Sequence, residues 1–364
     1  MRNTQRITKA IRHPVLSAVV LAAMLAGSAA VTLGQENEDQ AGPLVLKKQG
    51  SFFVGGETVF SDALIGAQPL PGVITFPTSG NIVVNQMYVH YMIPEGGDHV
   101  PVVMVHGGTL SGKSWETTPD GRMGWDEYFV RQGHAVYVPD QVSRARSGFN
   151  QTKFNEVLQG IAPPSALPNI LRLSRESAWT LFRFGPTFGV PYPDTQFPVE
   201  AADEFAKQGI PDLNFATGLL PTPNPTITNM AALARKLGGV ILMGHSESSL
   251  YPTQAALIDP TGVRGIIGLE LGCLAPLTAD QLASLKKIPI LIMVGDRFGP
   301  TPQCVQEMAQ INGAGGDMTF IALPDVGLHG NSHMFMLDKN NLQVADVILA
   351  WIDKHVEETK EGPH

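Results

Sequence analysis

The chain has 364 residues, 43% of them hydrophobic and 16% charged, with a formal net charge of −8. That balance is ordinary for a globular protein with a large core, and its acidity argues against nucleic acid or an anionic membrane as a partner. The length suits one large domain with an insertion, and 28 prolines with 38 glycines foretell long irregular connections.

At the N-terminus, Arg2, Arg6, Lys9 and Arg12 precede an apolar run from Val15 to Ala26, followed by small residues at Gly27-Ser28-Ala29-Ala30. This is the layout of a secretory signal peptide, expected over residues 1–34. The run is shorter than the roughly 20 residues that span a bilayer. The chain is therefore expected to be exported, periplasmic or secreted, with no stable membrane association once the segment is removed. An uncleaved anchor is the alternative.

Early strands are expected within residues 51–92, where Met87-Tyr88-Val89-His90-Tyr91-Met92 alternates roughly. Val100 to Val105 is continuously apolar and ends in His106-Gly107-Gly108; Ala135 to Val138 stops at Pro139-Asp140. Such runs suit central strands of a parallel sheet covered on both sides. From about 151 to 225 the texture changes to prolines and aromatics, among them Trp179, Phe182, Phe184, Phe188, Tyr192 and Phe197, with one helix expected from Pro168 to Phe184. The α/β rhythm then resumes: a helix over 226–237, strand 239–243, helix 247–258, strands at 265–269, 288–294 and 318–323, and a closing helix over 342–355. Alternation of this kind predicts a doubly wound, mostly parallel sheet, with 151–225 inserted as a cap over the carboxyl ends of the strands. A surface excursion without a binding role is the plainer alternative.

Gly244-His245-Ser246-Glu247-Ser248 lies between a predicted strand and a predicted helix. A nucleophile elbow needs that context, because the sharp turn lifts the serine hydroxyl above the sheet. Ser246 is the candidate nucleophile; serving only as a helix cap is its alternative. The amides near Gly108, in the glycine turn upstream, and of Glu247 are candidate oxyanion donors. The base must be a histidine downstream, His329 or His333, and His333 is preferred because Gly-Asn-Ser-His-Met leads into a helix-like segment. For the acid, the loop after the next-to-last strand offers Asp296, but its second acidic position is Phe298. Glu270, at the end of the preceding strand, is preferred, since a carboxylate there needs a partner such as an imidazolium.

Arg144 and Arg146 could anchor a substrate carboxylate, or simply brace their loop. Cys273 and Cys304, the only cysteines, are expected to pair if the compartment is oxidising. A bridge there would stabilise by about 3–4 kcal/mol in the chain-entropy description. Neither has neighbours at metal-ligand spacing, so no metal is expected.

Gly-His-Ser-Glu-Ser, Glu270 and His329-Gly-Asn-Ser-His333-Met resemble a small group of secreted bacterial α/β-hydrolase esterases, over about residues 50–355. The resemblance implies the α/β-hydrolase fold and a carboxylic ester hydrolase with a Ser-Glu-His triad: Ser246, Glu270 and His333. It departs at the oxyanion loop, where Gly108-Thr109 stands in place of adjacent cysteines. A small-molecule ester is the expected substrate, with no cofactor, and a homodimer stays open. The same triad could cleave a lactone, an amide or a C–C bond, and a noncatalytic exported binding protein that kept the fold is the reading from another class.

Overall fold

The unbroken apolar runs become the interior strands of a single eight-stranded sheet. The computed structural model describes residues 42–66, 77–213 and 224–357; the expected signal segment, 1–34, falls outside them. The strands are β1 (Leu46–Ser61), β2 (Gly80–Pro94), β3 (His99–Val105), β4 (His134–Pro139), β5 (Val240–His245), β6 (Val263–Leu269), β7 (Ile290–Val294) and β8 (Met318–Ala322). Their spatial order is β1-β2-β4-β3-β5-β6-β7-β8. β1 and β2 pair antiparallel, as do β2 and β4, and every later pairing is parallel. The helices are α1 (Trp125–Arg131), α2 (Thr152–Leu158), α3 (Arg175–Leu181), α4 (Ala202–Ala206), α5 (Pro225–Leu237), α6 (Tyr251–Ile258), α7 (Ala279–Leu285), α8 (Pro302–Gly313) and α9 (Asn341–Ile352).

Strand pleating divides the core between the two faces of the sheet. In β5, Ile241 and Met243 join Trp125 and Phe129 of α1 and Ile348 and Trp351 of α9. Val240 and Leu242 join Met230 and Leu233 of α5, Ala255 of α6 and Leu285 of α7 on the other face. Every residue of β5 and β7 is buried, which is why neither strand carries a polar alternation. Full burial of one such aliphatic side chain stabilises by about 1.5–3 kcal/mol. Helix α5 starts where its sequence says it should: Asn224 accepts the Thr226 N–H at 2.9 Å, and Pro225 fills the first turn, where its missing N–H costs nothing.

Three expected helices differ in extent. The one expected from Pro168 to Phe184 shrinks to α3, because Leu171 instead exchanges backbone hydrogen bonds with Asp212 and only Ser174 supplies an N-cap, accepting the Ser177 N–H at 3.1 Å. The helix expected from Glu247 opens as a tight 3-10 turn, Ser246–Leu250, before α6 begins. The closing helix ends at Ile352 and continues as a π turn, in which His355 bonds Asp317 at 2.7 Å.

Between β4 and α5 the described part of the expected insertion, 151–213, holds α2, α3 and α4 joined by irregular chain. Its Phe182, Phe184, Phe197 and Phe205 bury one another and extend the core of the sheet face that carries Trp125 and Phe335. The rest of that segment, 214–223, lies outside the described residues. Cys273 and Cys304 form a disulfide between the loop after β6 and the first turn of α8, 31 residues apart.

Candidate active site

Five chain segments converge at the carboxyl ends of β3, β5, β6 and β8. At the end of β5 the chain reverses so sharply that Ser246 adopts φ +56°. A Cβ on Gly244 would lie 2.0 Å from the Ser248 carbonyl oxygen, so this turn requires glycine there. The opposite flank, where elbows commonly carry glycine, holds Ser248 in a role of its own. Its hydroxyl accepts the His245 N–H at 3.0 Å and donates to the Val105 carbonyl at 2.9 Å, tying the elbow to β3.

His333 arrives on the loop after β8. Its Nε2 lies 2.8 Å from Ser246 Oγ and its Nδ1 2.8 Å from Glu270 Oε2. A carboxylate at Nδ1 fixes the proton on that nitrogen and leaves Nε2 free to accept from the serine. Glu270 sits at the end of β6, fully buried, at φ +72°. Burial by itself pushes its carboxyl up. The hydrogen bond and charge of His333, Arg183 at 2.6 Å and the Gly295 N–H at 2.7 Å together outweigh that, and the pKa ends below the usual glutamate value.

The second-choice residues stand elsewhere. Asp296 exchanges hydrogen bonds with the backbone of Asn331, accepting its N–H at 2.9 Å and donating its own to the Asn331 carbonyl at 3.2 Å, so it braces the histidine loop without touching His333. His329 is exposed on the same loop. Ser246, Glu270 and His333 line a cavity of about 350 Å³ with Gly108, Glu247 and Arg183. Thr109 also lines it, and the remaining walls are apolar: Leu171, Leu173, Leu181, Phe182, Leu271 and Phe298. The Thr109 amide is committed to Asp212 at 2.8 Å. That leaves Gly108 as the candidate donor of the β3 loop, facing Glu247 at the start of the helical turn, where amides have no intrahelical acceptor.

Several residues that hold this arrangement carried no signal in the sequence. Phe182 stacks on the His333 ring, 5.4 Å between centroids and 5° from parallel, while its carbonyl accepts the His333 N–H at 2.9 Å. Arg183 follows it at φ +60°. Both belong to the aromatic segment, whose composition suggested a cap but singled out neither residue. His245 Nε2 bonds the His333 carbonyl at 2.8 Å, and burial drives its pKa down to about 3, so it stays neutral. Arg144 and Arg146 brace: Arg144 meets Asp212 and Glu247, and Arg146 meets Asp140 at 2.6 Å while lying over Tyr88.

No family model matches the sequence. Among solved structures, the chain is similar to a bacterial esterase known at atomic resolution: 44% identity, TM-score 0.80, covering 86% of this chain and 98% of that one. Among curated proteins it is similar to a probable secreted lipase of a fungal species, at 24% identity over 74% of this chain and 86% of the relative.

Proposed function

The chain belongs to the α/β-hydrolase family of that bacterial esterase and is a carboxylic ester hydrolase; we propose that it works through an acyl-enzyme on Ser246. The observation that carries this reading is the unbroken relay from Glu270 Oε2 through His333 to Ser246 Oγ, with both contacts at 2.8 Å. Ser246 Oγ attacks the ester carbonyl while His333 Nε2 takes its proton. Glu270 stabilises the imidazolium so formed. The carbonyl oxygen gains negative charge, received by the Gly108 and Glu247 amides; losing one such donor typically costs about 10²–10³ in rate. His333 then returns the proton to the departing alkoxide. Water, deprotonated by the same histidine, releases the acid and restores Ser246.

The apolar walls favour an apolar acyl group of modest size, since about 350 Å³ is near the small end of ligand cavities. The described part of the insertion, 151–213, acts as a cap: Leu171, Leu173, Leu181 and Phe182 supply one wall of the cavity. Export is the favoured location. It is supported by the disulfide, by the basic-then-apolar N-terminus, and by the secreted relative. Among the described residues no helix is long and apolar enough to cross a membrane.

Kinetics on a panel of ester, lactone and amide substrates test the reading. Ester turnover should dominate, Ser246→Ala and His333→Ala should each lose about 10⁴–10⁶ in kcat, and a fluorophosphonate should label Ser246. Glu270→Gln should lose about 10²–10⁴, whereas Asp296→Asn should stay within about tenfold of wild type. The reverse ranking of the two acids would transfer the role to Asp296. Absent labelling together with absent ester turnover would leave only a binding protein.

A further inference from the structure

We infer that Arg144 is the positioning residue of the oxyanion hole, a single buried guanidinium that orients both amides receiving the negative charge. The inference rests on assigning that role to Gly108 and Glu247. The Arg144 side chain is wholly shielded from solvent and is not among the cavity walls, so it does not meet substrate. Its in-plane N–H groups each grip a piece of the hole.

Arg144 Nη1 donates to the Gly107 carbonyl at 3.1 Å. In a planar trans peptide that carbonyl and the Gly108 N–H point in opposite directions. Holding the oxygen against Arg144 therefore turns the amide away from it. The same oxygen takes a second hydrogen bond, from His106 Nδ1 at 2.9 Å; the Gln141 N–H, 3.0 Å from Nε2, fixes the proton on Nδ1. Two donors on one carbonyl, one of them charged, also polarise the peptide and strengthen its N–H as a donor.

The next peptide leads to the same residue. The Thr109 N–H donates to Asp212 Oδ2 at 2.8 Å, and Asp212 is clamped by Arg144 Nε at 3.0 Å and Nη2 at 2.7 Å. This grip holds Thr109 at φ +59°, a costly conformation for a β-branched residue. On the other side Arg144 Nη2 lies 2.7 and 3.0 Å from the carboxylate oxygens of Glu247, whose main chain carries the second donor. Loop, cap and elbow are thereby registered to one another through one side chain.

The test compares kcat/KM for an ester and for the thionoester of the same acyl chain. Thiocarbonyl sulfur accepts hydrogen bonds weakly, so its hydrolysis depends much less on the hole. Wild type should prefer the ester. Arg144→Met should lose about 10²-fold on the ester, less than tenfold on the thionoester, with KM within about threefold. Arg144→Lys should recover part of the ester rate, and Glu247→Gln, which keeps the backbone amide, should lose about tenfold on the ester alone. Should Arg144→Met fail to fold, the Lys and Gln variants carry the comparison. Equal losses on both substrates, or no loss, would overturn the inference while leaving the triad intact. A wild type that does not distinguish ester from thionoester would remove the oxyanion assignment and this inference together.

Discussion

Four non-glycine residues around the cavity, Thr109, Arg183, Ser246 and Glu270, have φ between +56° and +72°. Backbone held in this region costs on the order of 1–3 kcal/mol per residue and persists only where the surroundings over-determine it. For Glu270 the constraints are visible: its N–H donates to the Met293 carbonyl at 2.8 Å while its carboxylate serves Gly295, Arg183 and His333. Gly295 packs tightly against this carboxylate: a Cβ there would stand 3.1 Å from Glu270 Oε1 and 3.0 Å from the Ser332 carbonyl oxygen, so a neighbour would have to give by a few tenths of an ångström. Gly295→Ala should displace the carboxylate by a few tenths of an ångström and lower kcat about 3–30-fold with KM held, given that about 1 Å of misplacement costs roughly 10²-fold. Steady-state kinetics would show it, and an unchanged kcat would mean the glycine is not limiting. Ser248→Ala tests the other flank of the elbow. It strands the buried His245 N–H and Val105 carbonyl, so stability should fall by about 2–4 kcal/mol in urea unfolding. A change under 0.5 kcal/mol, roughly the scatter of neutral substitutions, would show that the hydroxyl holds nothing.

The loop that delivers His333 illustrates why elements, more than single positions, make the site. Asp338, fully buried, accepts from the Ser332 N–H at 2.7 Å, the Ser332 hydroxyl at 2.7 Å and the Asn331 amide at 3.1 Å. Arg122 clasps the same turn through the Leu337 and Asp338 carbonyls, at 2.9 and 2.8 Å. Asp338→Ala should therefore release the loop, lowering kcat/KM by about 10–100-fold and stability by about 2–4 kcal/mol. An alanine variant that kept full activity with the expected destabilisation would confine Asp338 to folding. None of this could be read from the sequence, where Asp338 is one acid near a helix start, and its partners follow from a turn that only tertiary packing dictates. What could be read were features with local causes. The parallel strands showed as unbroken apolar runs, the elbow as a small-residue pattern between strand and helix, and Glu270 as a charge left at the tip of an apolar strand. The segment proposed as a cap was legible only as a change of texture. Its helices are short, and α3 came out shorter than expected because the Leu171–Asp212 bridge took the backbone that would have extended it.

Across the whole molecule, two sets of buried titratable groups pull stability in opposite directions with pH. Burial pushes the Asp126 and Asp338 carboxyls up to about 7 and Glu307 to about 6. A carboxyl raised by folding contributes stability that is present below its unfolded pKa, about 4, and is lost as pH rises through the folded value. Burial likewise holds His106 down at about 4 and His245 at about 3. A histidine depressed by folding does the reverse: its contribution is present above the unfolded value, about 6.5, and is lost as pH falls. Between about pH 4 and 6.5 the two slopes offset each other, so the wild-type profile conceals both. Removing one member should expose its set. Asp126 sits in the first turn of α1, accepting the Glu127 N–H at 2.7 Å, and asparagine can accept that bond without ionising. Relative to wild type, Asp126→Asn should therefore gain stability as pH rises from 5 to 8, by about 2–3 kcal/mol at about 1.4 kcal/mol per pH unit up to the folded pKa. Urea unfolding of both proteins at pH 5, 6, 7 and 8 would trace the difference. A gap that stays constant over that range would mean Asp126 is already ionised at pH 5, and the base-side loss of stability would then have to come from other groups.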